Sequence, residues 1–249
     1  MLLNDRVAVI YGGGGRIGAA VARGFAREGA TLFLAGRTEQ KLATVAEEIR
    51  SSGGTAETAI LDALDQRAVG EFVDGMVRKA GRVDISFNLI SVNDVQQPLM
   101  EISLEDFLKP IVTAMRSQFI TTHAAARHMI RQGSGVILAF GGSGPQTLPG
   151  LGGFKIALDA LEGLRRQWAL ELGKYGIRVV TLKTGGIPET LPADYPGREE
   201  IVAGIEQATL LKRTATLADV GNVAAFIASD QARTITSTEI NISSGAIVD

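Results

Sequence analysis

The sequence predicts a doubly wound α/β domain built on a parallel sheet, and three observations carry that expectation. Seven short apolar runs recur along the chain, at 7–11, 31–35, 58–62, 84–90, 136–140, 177–182 and 238–242. Longer segments with apolar residues at helical spacing separate them, and apolar strands alternating with helices mark a sheet covered on both faces. No linker, charge block or low-complexity stretch divides the chain, so residues 1–249 are expected to form one domain.

The elements follow in order. VAVIY (7–11) leads straight into GGGGRIG (12–18), which opens a helix with Ile17, Ala20, Val21, Gly24 and Phe25 on one face, ending at Gly29. After TLFLA (31–35), Thr38 precedes the helical EQKLATVAEEIR. Asp65 starts the next helical run, which stops at Gly81, and Ser103-Leu-Glu-Asp106 has the form of a capping box. Long helices are expected over 104–132 and 153–173, the first bent at Pro110. Beyond the sixth strand, KTGGIPETLPADYPGR opens the segment 183–213, rich in Pro and Gly. Loops past the carboxyl ends of parallel strands are where such sheets bind ligands, so 183–213 is expected to be a substrate-side loop and helix.

Composition narrows the function. Of the 249 residues 45% are hydrophobic and 21% charged, which is ordinary globular usage. A net charge of −2 and a pI near 5.8 give no general case for nucleic acid or an anionic membrane surface. The chain has no cysteine, so disulfides, thiolate catalysis and Cys-ligated zinc are excluded. His123 and His128 lie five apart on a helix, on different faces, and no metal constellation is seen. The five-residue run before the glycines is short for a signal peptide, and no stretch approaches the roughly 18 apolar residues of a membrane span. A cytoplasmic protein acting on a small molecule is the expectation.

GGGGRIG carries the first chemical signal. Glycine lets the backbone approach a pyrophosphate, and a helix N-terminus offers unpaired N–H groups at a positive dipole end. Gly12, Gly14, Gly15, Arg16, Ile17 and Gly18 are therefore candidate cofactor contacts. The end of the second strand reads LFLAGRT, with Gly36 and Arg37 where an acid would face the ribose hydroxyls of NAD. A guanidinium binds a 2′-phosphate by charge-assisted hydrogen bonds. Arg37, with Arg16 as the other jaw, favours NADP(H) over NAD(H).

Taken together these motifs resemble the short-chain dehydrogenase/reductase family along essentially the whole chain. VAVIYGGGGRIG is similar to its nucleotide turn, with Tyr11 in place of threonine and Arg16 in place of a glycine. LDALD resembles the segment that holds the adenine, through Asp62 and Ala63. FNLIS stands where the family has Asn-Asn-Ala-Gly, keeping Asn88. KTGGIPET resembles the segment that contacts nicotinamide, with Thr184 for proline, Gly185 kept and Ile187 following. TITSTEINISSGAIVD looks like the closing strand and tail. The resemblance implies a Rossmann-type domain with a seven-stranded sheet, a nicotinamide cofactor and a homotetramer paired through the two long helices.

The family's reaction uses Asn, Ser, Tyr and Lys together, and here the resemblance thins. Registered on the family's helix start, FKIALDAL keeps the lysine as Lys155, while the tyrosine four places earlier falls on Leu151. The asparagine falls on Ala114 or its neighbour, and the serine on Gly142, one step from Ser143. Lys155, for the nicotinamide ribose, and Ser143 are thus the candidate catalytic residues. Asp159, four beyond Lys155, reads as a helix-surface ion-pair partner. The expected function is NADP-linked hydride transfer to a carbonyl or activated alkene in a reorganised active site. The alternative is a nucleotide-binding protein without redox turnover, a sensor or an assembly subunit.

Overall fold

A computed structural model of the chain describes residues 1–141 and 147–248. Strands and helices alternate as β1 (Val7–Tyr11), α1 (Arg16–Arg27), β2 (Thr31–Gly36), α2 (Glu39–Ser51), β3 (Thr55–Ile60), α3 (Gln66–Ala80), β4 (Ile85–Asn88) and α4 (Leu104–Gln132). They continue as β5 (Gly135–Phe140), α5 (Phe154–Leu172), β6 (Ile177–Thr184), α6 (Arg198–Ala208), α7 (Leu217–Ala228) and β7 (Thr238–Ile242). The seven strands form one sheet in the order β3-β2-β1-β4-β5-β6-β7, every pair parallel. The winding reverses between β1 and β4, and the crevice outside their carboxyl ends is where a doubly wound sheet places a ligand.

Side chains alternate across the sheet, as the two-residue strand period requires. Ala8 and Ile10 of β1 face a core shared with Val21 and Phe25 of α1, Leu42 of α2 and Ala224 of α7. Val7, Val9 and Tyr11 face the opposite core, with Val69 and Val73 of α3, Ile120 and Met129 of α4 and Leu172 of α5. The central strands are apolar on both faces for this reason.

Two local expectations need correction. The third strand is Thr55–Ile60 rather than 58–62. It is an edge strand in which only Ala56 is buried and Ile60 is 59% exposed, so a search for an apolar run misplaces it. Helix α4 continues through Pro110, which is buried. The Ser103 hydroxyl accepts from the Asp106 amide but donates to Asp106 Oδ2, so the return arm of the capping box is not made. A complete box forms instead at Thr216 and Asp219, at the start of α7. Hydrogen bonds from Thr216 hold the Asp219 carboxyl below its ordinary pKa. Asp65 does cap α3, accepting from the amides of Arg67 and Ala68.

Candidate functional site

Two cavities meet at the crevice. One, of about 580 Å³, lies between the phosphate turn, the end of β4, α4 and α5; the other, of about 290 Å³, lies between the phosphate turn, the end of β2 and the segment after β3. Gly12, Gly15, Leu89, Ile90 and Ser91 border both.

The turn between them is built for close approach. Gly12 has φ +80°, and a Cβ there would lie 2.6 Å from the Leu89 carbonyl oxygen. A Cβ on Gly18 would overlap the Gly12 carbonyl oxygen, so the first turn of α1 sits directly on the loop that precedes it. No side chain caps α1 and no acid lies in its first turn. Its leading amides therefore face the crevice, at the positive end of the helix dipole. This cradle fits a pyrophosphate.

The smaller cavity carries the charge. Arg37, Thr38 and Lys41 line one side, Asp62 and Ala63 another, and Gly14 the floor. Arg37 and Lys41 are exposed, and neither forms an ion pair with a described residue. Asp62 accepts from the Leu64 amide through Oδ1. Lys41 escaped the sequence reading because it lies inside the first turn of α2, and only the packing of its Cβ over Gly14 brings it to the site.

Arg16 does something different from the expected second jaw. Its Nη1 donates to the carbonyls of Glu189 and Leu191, 2.8 and 3.0 Å away, which ties the phosphate turn to the loop beyond β6. It borders the larger cavity and not the one that holds Arg37. Asn88 also borders the larger cavity, but its amide is committed: Nδ2 donates to Thr121 Oγ1, and Oδ1 accepts from the Ile90 amide. Asn88 thus shapes the turn after β4. Gly185 and Ile187 border neither cavity; Gly185 packs beneath Ser243 and Ala246, and Ile187 is in the core. Ser143 lies outside the described residues.

Lys155 is also absent from the described walls of both cavities. Its ammonium is held by both oxygens of Asp159, at 2.6 and 2.7 Å. Helix geometry gives the reason. The α5 residues that face the cavity are Phe154, Leu158 and Leu161, an i, i+4, i+7 stripe, and Lys155 is about 100° round the helix from Phe154. The pair four apart that does face the cavity is Phe154 and Leu158, both apolar. That stripe is readable in FKIALDAL, where the lysine stands one place off it.

Buried polar contacts on the sheet side fix the rotation of α5. Glu162 and Arg165, both buried, pair at 2.7 Å, and Arg165 reaches Ser237 before β7. Glu239 of β7 lies 3.0 Å from Lys183 of β6. Burial, and then a hydrogen bond with Glu162, hold the Glu239 carboxyl above its ordinary pKa.

On the α4 side the larger cavity is bordered by Ala114, Ser117 and Gln118. No tyrosine, lysine or histidine borders it among the described residues. Tyr11 ends β1 beside the phosphate turn, but its hydroxyl is fully buried without a hydrogen-bond partner among the described residues, and burial pushes its pKa far up. His128 is tied to Asp74 and Arg131, away from the crevice. No helix among the described residues is long and apolar enough to cross a membrane.

Comparison with known proteins gives this arrangement a lineage. A family profile described as enoyl-(acyl carrier protein) reductase matches residues 15–246. The A-factor type gamma-butyrolactone 1'-reductase (1S-forming) of Streptomyces virginiae is 28% identical, over 98% of this chain and 96% of its own. Secoisolariciresinol dehydrogenase of Forsythia intermedia is 30% identical, over 98% of this chain and 89% of its own. The solved structure of a short-chain type dehydrogenase/reductase from Mycobacterium ulcerans superposes with a TM-score of 0.89 at 25% identity, covering 99% of this chain and 91% of its own. With the sheet order, the phosphate turn and the crevice already matching, these relatives place the chain in the short-chain dehydrogenase/reductase family of oxidoreductases.

Proposed function

We propose that the chain binds NADP(H) across the two joined cavities and acts as an oxidoreductase whose substrate half is reorganised around apolar side chains. The observation that carries the cofactor preference is the pair Arg37 and Lys41, two exposed cations without ion-pair partners among the described residues, beside the phosphate turn. The amides of the turn and of α1 hold the pyrophosphate, Arg37 and Lys41 meet the 2′-phosphate, and Asp62 and Ala63 border the adenine. Bound nicotinamide supplies or takes up hydride. Phe154, Leu158 and Leu161 keep water from the larger cavity and offer no proton to a developing alkoxide. An activated alkene or a quinone, which needs less acid assistance than a simple ketone, is the acceptor that suits such a wall. General acid–base help is worth about 10²–10⁴-fold, so simple ketones turn over more slowly than enones by about that factor. NADPH consumption over a panel of ketones, quinones and enones tests this; fast reduction of simple ketones overturns it.

The absence of tyrosine, lysine and histidine from the described walls of the larger cavity also supports a second reading, dinucleotide binding without turnover. Micromolar NADPH affinity with no consumption of NADPH on any member of the panel would establish that reading instead.

The same proposal extends to assembly. Leu104, Leu108, Val112 and Phe119 form an exposed apolar stripe along α4, each at least 41% accessible, and such a stripe suits pairing with a second copy into a homo-oligomer. Light scattering is expected to give a multiple of the 26.2 kDa chain mass; a monomer at micromolar concentration removes this part.

A further inference from the structure

The larger cavity has a polar feature that the dinucleotide does not account for. Ser117 and Gln118 of α4 are 3% and 6% exposed, and both border the cavity. Gln118 donates through Nε2 to Thr122 Oγ1 at 3.1 Å, and its carbonyl oxygen receives no hydrogen bond from a described residue. The Ser117 hydroxyl donates to the Ala114 carbonyl at 3.3 Å, which leaves its lone pairs as acceptors. Facing them across the cavity are Phe154, Leu158 and Leu161. The charged residues on its described border are Arg16, exposed and tied to loop carbonyls, and Asp94, half-buried on the β4–α4 loop.

We infer that this cavity recognises an uncharged, mostly apolar ring compound through one hydrogen bond that the ligand's hydroxyl or amide N–H donates to the Gln118 carbonyl. A ligand that covers this cavity-facing acceptor without donating to it leaves the oxygen unsatisfied, whereas one that donates to it does not. A carboxylate placed against Phe154 and Leu158 would be desolvated, and the one cation on the described border, Arg16, is tied to the carbonyls of Glu189 and Leu191. The inference rests on the reading above for which half of the crevice is left to the substrate.

Calorimetric titration tests it, with and without saturating NADP⁺, using 2-naphthol, 2-methoxynaphthalene and 2-naphthoate as probes. The naphthol is expected to bind about three- to tenfold more tightly than the methoxy compound, the worth of one neutral hydrogen bond. The naphthoate is expected to bind at least about a hundredfold more weakly than the naphthol. Gln118→Leu should abolish the gap between naphthol and methoxynaphthalene, and Gln118→Met should do the same if the leucine variant misfolds. Leu158→Lys should tighten naphthoate at least about tenfold by pairing its charge. Naphthoate binding as tightly as naphthol overturns the inference, as does a gap that survives at Gln118 or no binding by any probe. If NADP⁺ gives no heat while the three probes still rank as stated, the dinucleotide reading fails and this inference stands.

Discussion

The two halves of the crevice are made by different means. The half around Gly12, Gly18, Arg37 and Lys41 is assembled from consecutive chain, β1 through α2, with each part set by its neighbour. The half around Gln118, Phe154 and Leu158 joins two helices far apart in sequence, and its chemistry depends on how each is rotated. Backbone chemistry dominates the first half, where glycines and helix amides tolerate changes of neighbouring side chains. Side chains are the whole content of the second. Family likeness is carried by the first half, whereas in the second the face that α5 turns to the cavity carries Phe154 and Leu158 and not Lys155.

The largest expected effect tests the backbone half. In Gly18→Ala the new Cβ overlaps the Gly12 carbonyl oxygen, so the phosphate turn must open. Overpacking of this kind costs about 3 kcal/mol, and NADPH should bind about a hundredfold more weakly or worse. Fluorescence titration measures the affinity, and circular dichroism confirms that the sheet is kept. An unchanged NADPH affinity would remove the turn from the binding site.

Arg37→Ala comes next. Losing a charged hydrogen-bonded partner costs about 1.5–3 kcal/mol, or about ten- to a hundredfold in NADPH affinity, while NADH should be nearly unaffected. Lys41→Ala should act in the same direction and by less. Equal wild-type affinity for NADPH and NADH would show that these two cations do not select the cofactor. Arg16→Ala should do less again, because its guanidinium serves the loop carbonyls of Glu189 and Leu191. Exposed contacts of this sort are worth about 0.2–1 kcal/mol, so both dinucleotides should weaken alike, by about two- to fivefold. A loss confined to NADPH would return Arg16 to the 2′-phosphate.

How much of this was legible in the sequence follows the same division. Six of the seven strands, the phosphate turn and the Asp65 cap are written in neighbouring residues and can be read from them. The edge strand β3 could not be placed by the same rule, because Glu57 interrupts its apolar run and only Ala56 is buried. Arg16 and Lys41 exchange emphasis for a three-dimensional reason: the Arg16 side chain turns toward the β6 loop, and Lys41 packs over Gly14 from the next helix. For Lys155 the signal was present and outweighed. Phe154, Leu158 and Leu161 mark the buried face of α5, but a lysine after a glycine-rich turn invited a register three residues away. Gln118 had no signal at all, since nothing in TAMRSQFITT distinguishes a cavity-facing amide from a solvated one.

The smallest expected effect is at Lys155, and it separates the two registers most directly. A lysine in the first turn of α5 faces the positive end of the helix dipole, an unfavourable interaction of about 0.3–1 kcal/mol. Its pairing with Asp159 one turn later returns about 0.3–0.5 kcal/mol. The two nearly cancel, so Lys155→Met should move the melting temperature by no more than about 2 °C. What remains of the change should shrink further at high salt, where the exposed Asp159 carboxylate is screened. Because Lys155 is not among the described residues that border either cavity, NADPH affinity should stay within about twofold of wild type, a change below ~0.4 kcal/mol. A cation that held the ribose hydroxyls would behave otherwise, since losing it would cost about tenfold or more. A tenfold loss of NADPH affinity in this variant would mean that Lys155 leaves Asp159 when the dinucleotide binds, and that α5 presents a different face to the cavity in the complex.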